Sequence, residues 1–263
     1  MTVTIHDLSA WKQQGRRFVM LTAYDFPTAR ILDAAGIPIL LVGDSLGQTV
    51  LGYETTLPVT MEEMLHHTKA VTKGAKNALV VGDMPFLSYQ ASLEEGIANA
   101  GRFLKEAGAH AVKVEGAQTT LTEALTDLGI PVMGHLGLTP QSVRGMGGYR
   151  VQGRTDEAAR RLLDDALSLE KAGAFSLVVE GVPRDVGGAI TSSLHIPTIG
   201  IGAGPDTDAQ VLVLTDLLGL GEAAPPRFAK AYADVSGAIT EAATAFRREV
   251  EEGAFPDDAH SYH

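Results

Sequence analysis

The sequence predicts an α/β protein, a (β/α)8 barrel, on three observations. Eight short apolar runs recur along the chain, segments of helical periodicity separate them, and 263 residues lies near the size of about 250 that such barrels take. Strands alternating with helices favour parallel β/α units joined by right-handed crossovers. The expected organisation is one barrel domain over residues 1–252, opened by a short capping helix, followed by a poorly ordered tail over 253–263.

The runs are Phe18–Ala23, Ile37–Gly43, Ala78–Asp83, Ala109–Glu115, Ile130–Leu136, Phe175–Glu180, Ile196–Ile201 and Val211–Leu214. None alternates strictly between polar and apolar residues, as expected of strands covered on both faces. The second and third share a pattern, Leu41-Val-Gly-Asp44 against Val80-Val-Gly-Asp83. The fourth and sixth share a longer one: Ala107–Gly116 and Ala172–Gly181 both open on Ala-Gly-Ala and close on Val-Glu-Gly. Ahead of the sixth run, Ala159, Leu162, Leu163, Ala166 and Leu169 recur at three- and four-residue steps. That spacing predicts a helix over Asp156–Ala172, started by Thr155 and stopped by Gly173. Gly200-Ile-Gly-Ala-Gly204 follows the seventh run rather than the first and lacks the G-x-G-x-x-G spacing, so it reads as a tight βα turn and not a dinucleotide site. Helices over Ala229–Glu252 read as barrel cover or subunit contact.

Composition narrows the function. Lys and Arg number 21 against 32 Asp and Glu, a net charge of −11 with pI near 5.1, which argues against a duplex nucleic-acid binder. Without cysteine the chain has no disulfide, thiolate zinc site or cysteine nucleophile. The amino terminus lacks the basic start and apolar run of a secretory signal, and the longest apolar stretch, Ala34–Gly43, is about half of a membrane span. The expectation is a cytoplasmic enzyme of small molecules, with neither nucleic acid nor membrane as partner.

Polar residues collect where the runs end: Asp44, Ser45, Asp83, Lys113, Glu115, His135 and Glu180. Active sites of (β/α)8 enzymes lie at that rim, built from several strand ends. Carboxylates there are expensive to bury without a cation, and oxygen ligands in a cysteine-free chain favour Mg²⁺ over Zn²⁺. Lys113 and Glu115, two apart on one strand, point to the same side. Each residue also has a plainer account. Asp44 could cap the next helix, Lys113 and Glu115 could form a barrel-mouth ion pair, Glu180 could pair with Arg184, and His135 could be a satisfied strand-end histidine.

Six segments carry a family resemblance: Gly43-Asp-Ser-Leu-Gly47, Asp83-Met-Pro-Phe86, Lys113-Val-Glu-Gly116, His135-Leu-Gly-Leu-Thr-Pro-Gln141, Glu180-Gly-Val-Pro183 and Thr198-Ile-Gly-Ile-Gly-Ala-Gly204. Together, from about Thr4 to Phe246, they resemble the 3-methyl-2-oxobutanoate (ketopantoate) hydroxymethyltransferases, barrels of the phosphoenolpyruvate/pyruvate type. The resemblance implies transfer of a one-carbon unit from 5,10-methylenetetrahydrofolate to 3-methyl-2-oxobutanoate through a metal-stabilised enolate, the first committed step of pantothenate synthesis. It implies a homodecamer. It assigns Asp44, Asp83 and Glu115 to Mg²⁺, with Glu115 direct or through water. Asp44, Ser45, Asp83, Lys113 and His135 would contact the oxo acid, and Glu180 would be the general base. The apolar run Phe175–Val179 leads to the expectation that desolvation raises the Glu180 pKa. Gly145-Met-Gly-Gly148, with Arg144, Arg150 and Arg154, reads either as a loop gripping the acidic folate tail or as a solvated basic loop. The chain departs from the family's common pattern at Glu115-Gly-Ala117 and Thr207-Asp-Ala-Gln210. Two rivals stand beside this reading: a Mg²⁺-dependent carbon–carbon lyase of the same barrel type, and a metabolite sensor without turnover.

Overall fold

Eight parallel strands pair in chain order and the last returns to the first, closing a barrel. They are β1 (Phe18–Thr22), β2 (Ile39–Val42), β3 (Leu79–Asp83), β4 (Ala111–Glu115), β5 (Val132–Gly137), β6 (Ser176–Glu180), β7 (Thr198–Ile201) and β8 (Ala209–Leu212). The computed structural model describes residues 2–221 and 226–263. Met1 and residues 222–225, inside the span expected for the barrel domain, lie outside the described residues. The chain divides into two compact units, Met1–Leu212 and Val213–His263, and all eight strands belong to the first.

In the first unit, helices α1 (Ile5–Gln13), α2 (Phe26–Ala34), α3 (Leu46–Thr49), α4 (Met61–Gly74), α5 (Leu93–Lys105), α6 (Thr119–Asp127), α7 (Asp156–Lys171) and α8 (Arg184–Ser193) accompany the strands. Local chemistry sets their ends. Thr155 accepts from the Ala158 N–H to start α7, and Gly173, at φ +94°, lets the chain turn away after it. Pro38, Pro131 and Pro197 sit just ahead of β2, β5 and β7, where a missing N–H breaks no ladder bond. Their carbonyls still accept from Leu79, Val112 and Leu177 on neighbouring strands.

The shared pattern of β4 and β6 has a conformational basis: Gly108 and Gly173 before the strands, and Gly116 and Gly181 after them, all hold positive φ. The eighth strand departs from expectation, occupying 209–212 rather than 211–214. Apolarity alone does not separate strand from helix there, because Val213 is already the N-cap residue of the following helix.

Inside the barrel, alternate residues of each strand form a core of Met20, Ile39, Leu41, Leu79, Val81, Ala111, Met133, Val178, Ile199 and Val211. Leu8 and Trp11 of α1 pack against this core. The outward residues Leu136, Leu177 and Val179 cluster instead with Ala166 and Leu169 of α7 and Ile190 of α8.

The second unit contains α9 (Leu214–Leu218) and α10 (Val235–Glu251), the latter capped by Asp234, which accepts from the Gly237 N–H at 2.8 Å. Within 253–263, Asp258–His260 makes one 3-10 turn. No helix among the described residues is long and apolar enough to cross a membrane.

Candidate active site

The two-residue period that builds the barrel core also builds the site above it. On β3, Leu79 and Val81 belong to the core and Asp83 continues the same side; on β4, Ala111 is followed by Lys113 and Glu115; on β5, Met133 by His135; on β6, Val178 by Glu180. Register aligns them across the sheet. Asp83 pairs with Lys113, Glu115 with His135, and Gly137 with Glu180. Asp44 joins from the turn after β2, where its backbone N–H donates to Asp83 Oδ2 at 3.2 Å.

Five of these side chains, Asp44, Asp83, Lys113, Glu115 and His135, are buried. Lys113 Nζ lies 2.8 Å from Asp83 Oδ1, 3.6 Å from Glu115 Oε1 and 3.1 Å from His135 Nδ1. The imidazole bridges the ends of β4 and β6: its Nδ1 is 3.4 Å from Glu115 Oε1 and its Nε2 is 3.2 Å from Glu180 Oε2. Gln141, in the 3-10 turn Pro140–Ser142, donates its backbone N–H to Glu115 Oε2 at 3.0 Å and its side-chain amide to Asp44 Oδ2 at 2.9 Å. The Tyr24 and Ser45 hydroxyls share a hydrogen bond of 2.9 Å.

Negative charge is in excess. Burial above all, then repulsion from Asp83 and Glu115, pushes the Asp44 carboxyl well above the usual aspartate range. Asp83 is also raised, by burial first and by Glu115, against the pull of Lys113. Glu115 ends lower than usual: burial opposes its charge, but Lys113, His135 and the Gln141 N–H outweigh it. Burial likewise opposes the Lys113 charge, yet the three carboxylates hold its pKa above the ordinary lysine value. For His135, burial and the Lys113 ammonium favour the neutral ring, but the Glu115 and Glu180 carboxylates beside its two nitrogens lift it to about 9.

Asp44, Asp83 and Glu115 each offer a carboxylate oxygen, all within 4.8 Å of one another; no other cluster of this kind occurs among the described residues. Three buried carboxylates against one ammonium, with oxygen donors only, fit a small hard divalent cation.

Six of the seven expected residues therefore meet at one rim, while Ser45, next to Asp44 in the chain, turns its hydroxyl to Tyr24. The plainer accounts are decided individually. The Asp44 side chain binds Gln141, while α3 receives no side-chain cap. Arg184 pairs with Asp206 at 2.6 Å, not with Glu180. The Lys113–Glu115 ion pair is present, as one contact within the larger cluster. Glu180 stands at the end of its apolar run with its side chain 17% exposed, and it faces the polar His135 ring rather than an apolar pocket. The apolar run describes the residues along its own strand, not what its carboxylate meets from the neighbouring β5. Arg144, Arg150 and Arg154 are exposed, and beside them Tyr149 donates to Gln48 Oε1 at 3.4 Å.

Gln141, Tyr89 and Tyr24 carry no role in the sequence reading. Gln141 stands inside the quoted segment His135–Gln141, but an amide offers no charge pattern to read. Tyr89 lies in a loop after β3 with no local signal, and only the fold buries its hydroxyl against Glu115 and Gln141.

A family model described as ketopantoate hydroxymethyltransferase matches residues 2–258. The chain belongs to that family. The 3-methyl-2-oxobutanoate hydroxymethyltransferase of Thermobifida fusca is 56% identical over 262 residues, covering 99% of this chain and 93% of that protein. That of Syntrophus aciditrophicus is 55% identical over 262 residues, covering 99% and 96%. Among solved structures, a phosphonopyruvate hydrolase in complex with oxalate and Mg²⁺ aligns with a TM-score of 0.62 at 14% identity, over 99% of this chain and 93% of that one. A 2,3-dimethylmalate lyase of the PEP mutase/isocitrate lyase superfamily gives 0.62 at 15% identity, over 99% and 92%. These two share the barrel fold. In this ketopantoate hydroxymethyltransferase-family chain, the six resembling segments all map onto β2–β7 and the turns at their carboxyl ends.

Proposed function

We propose that the chain moves a hydroxymethyl group from 5,10-methylenetetrahydrofolate to 3-methyl-2-oxobutanoate, with uptake of water, to give 2-dehydropantoate and tetrahydrofolate in cytoplasmic pantothenate synthesis. The observation that carries this reading is the rim cluster: three buried carboxylates facing one ammonium, with Glu180 beside His135 at the end of the next strand, in a chain of this family.

Asp44, Asp83 and Glu115 would hold Mg²⁺, Glu115 directly or through water. When bound, the ion supplies Lewis-acid stabilisation of negative charge developing on the oxo-acid oxygens, worth several kcal/mol. Ser45 donates to the substrate carboxylate, and Lys113 sets a positive charge beside the oxo acid. Glu180 removes the C3 proton. The His135 ring lies 3.2 Å from one oxygen of the Glu180 carboxylate and leaves the other to the substrate. With the folate ring opened at N10 to its N5-iminium form, the resulting enolate attacks the methylene carbon, the C–C bond forming as the C=N electron pair moves to N5. Water then replaces the remaining C–N5 bond with the C–O bond of the hydroxymethyl group, its other proton going to N5, and tetrahydrofolate leaves. The exposed Arg144, Arg150 and Arg154 offer counter-charges to the acidic folate tail. The homo-oligomer of the family, a decamer, is the expected assembly.

Mixing the protein with Mg²⁺, 3-methyl-2-oxobutanoate and 5,10-methylenetetrahydrofolate tests the reading, with 2-dehydropantoate as the expected product. Binding without product would favour a sensor. Folate-independent splitting of 2-oxo-4-hydroxy acids would favour the lyase chemistry.

A further inference from the structure

Gln141 touches two of the three carboxylates of the rim, and its own orientation is set from outside the cluster. The direction of every hydrogen bond in that chain is determined by chemistry. The Glu115 N–H can only donate, and it points at the Tyr89 hydroxyl oxygen from 3.1 Å. The Tyr89 proton then goes to Gln141 Oε1 at 2.8 Å, the nearer of its two acceptors, the Glu115 carbonyl oxygen lying at 3.5 Å. Gln90 Nε2, a donor, also addresses Oε1 at 3.2 Å. With Oε1 facing two donors, the Gln141 NH₂ must lie on the opposite side, where it finds two acceptors, Asp44 Oδ2 and the Met84 carbonyl, each at 2.9 Å. No step of this relay is reversible by flipping the amide, since a flip would set Oε1 against Asp44 and the Met84 carbonyl.

We propose that Tyr89 and Gln141 are positioning residues that hold Asp44 and Glu115 apart, each in a fixed orientation, so that both present an oxygen to one divalent cation. Several observations support it. Gln141 and Tyr89 are both buried, so neither bond competes with bulk water. Gln141 binds Asp44 through its side chain and Glu115 through the N–H left free at the start of the 3-10 turn. A neutral amide is the suitable partner here: it orients Asp44 without adding a positive charge that would repel a cation. Partners one shell out from a metal commonly change its affinity by about 10–100-fold when removed.

The proposal rests on the metal reading above, and the test separates the two. Mg²⁺ binding to the full chain is measured by titration calorimetry for the parent, Gln141→Met, Tyr89→Phe and the double variant, with thermal unfolding in chelator to confirm folding. Methionine keeps the volume of glutamine and phenylalanine keeps the ring, so packing and the Gln141 N–H bond to Glu115 are retained while the side-chain hydrogen bonds go. The expected result is a loss of about 10–100-fold in Mg²⁺ affinity for Gln141→Met. Tyr89→Phe should lose less, and most of that loss should vanish in the Gln141→Met background, because Tyr89 reaches Asp44 only through the amide, its other bond being to the Glu115 N–H. Parent affinity in Gln141→Met, or equal and additive losses from the two variants, would overturn the proposal alone. If the methionine variant fails to fold, Tyr89→Phe decides: unchanged affinity there overturns it. A parent chain that takes up no Mg²⁺ overturns the metal reading and this inference together.

Discussion

His135 Nε2 lies 3.2 Å from Glu180 Oε2, while the other ring nitrogen faces Lys113 at 3.1 Å and Glu115 at 3.4 Å. One imidazole thus joins the base assigned to C3 to the carboxylate cluster assigned to the cation. Removing both nitrogens with His135→Phe should leave Glu180 at the rim without its partner. We expect C3–H exchange of 3-methyl-2-oxobutanoate, followed by proton NMR in D₂O, to slow on the order of 10²-fold, the scale of a misplaced catalytic group. Exchange at the parent rate would show that Glu180 needs no such grip.

Glu180 itself is open to a simpler test. Glu180→Gln keeps the shape and removes the proton acceptor, so Mg²⁺ and oxo-acid binding should persist while exchange falls by about 10²–10⁴-fold. Unchanged exchange would assign the base elsewhere.

Asp44 sits buried beside two other carboxylates, held by a neutral amide, and its carboxyl is pushed upward by that burial and repulsion. Asp44→Asn should therefore raise the melting temperature in chelator, since it removes a charge the fold tolerates poorly. The same change should abolish the increase in melting temperature that Mg²⁺ gives the parent by binding the native state. A variant that melts lower in chelator, or that still responds fully to Mg²⁺, would contradict this account.

Gly137 pairs with Glu180 in the sheet and holds φ +93°. A Cβ added there would run into the Glu180 carbonyl oxygen, which is backbone and gives way only if β6 moves. Gly137→Ala should lose about 1–3 kcal/mol of stability and displace Glu180 at the same time. Denaturant unfolding and the exchange assay read the two effects separately; full activity with unchanged stability would refute the close approach.

Far from the rim, Asp33 ties α2 to the start of β3 by accepting from the Asn77 and Ala78 N–H groups, both at 2.8 Å. Burial opposes its charge, but these bonds prevail and hold its carboxyl below the ordinary value of 3.8. A depressed carboxyl stabilises the fold above its unfolded pKa, and that stability fades as pH falls through the folded one. Asp33→Asn should thus be less stable than the parent by about 1–3 kcal/mol at neutral pH, with the gap closing below pH 4. A gap independent of pH down to acid would exclude the charge as its source.

Much of this was legible in the chain itself. Eight apolar runs, their Gly and Pro punctuation and the two-residue spacing of Lys113 and Glu115 follow from local rules of strand and turn. Charged residues at strand ends pointed to the rim cluster, because a carboxylate closing an apolar run needs a partner.

Tertiary structure decided the rest. It set which partner each group receives: Arg184 goes to Asp206, Glu180 to His135, and Asp44 to Gln141, 97 positions away. It also moved β8 two residues toward the amino terminus, where pairing with β1 sets the register and Val213 starts a helix. Periodicity reports which side of a strand a residue takes. Only closure of the barrel brings the ends of non-neighbouring strands within a few ångströms, so the neighbours of a buried charge depend on that closure.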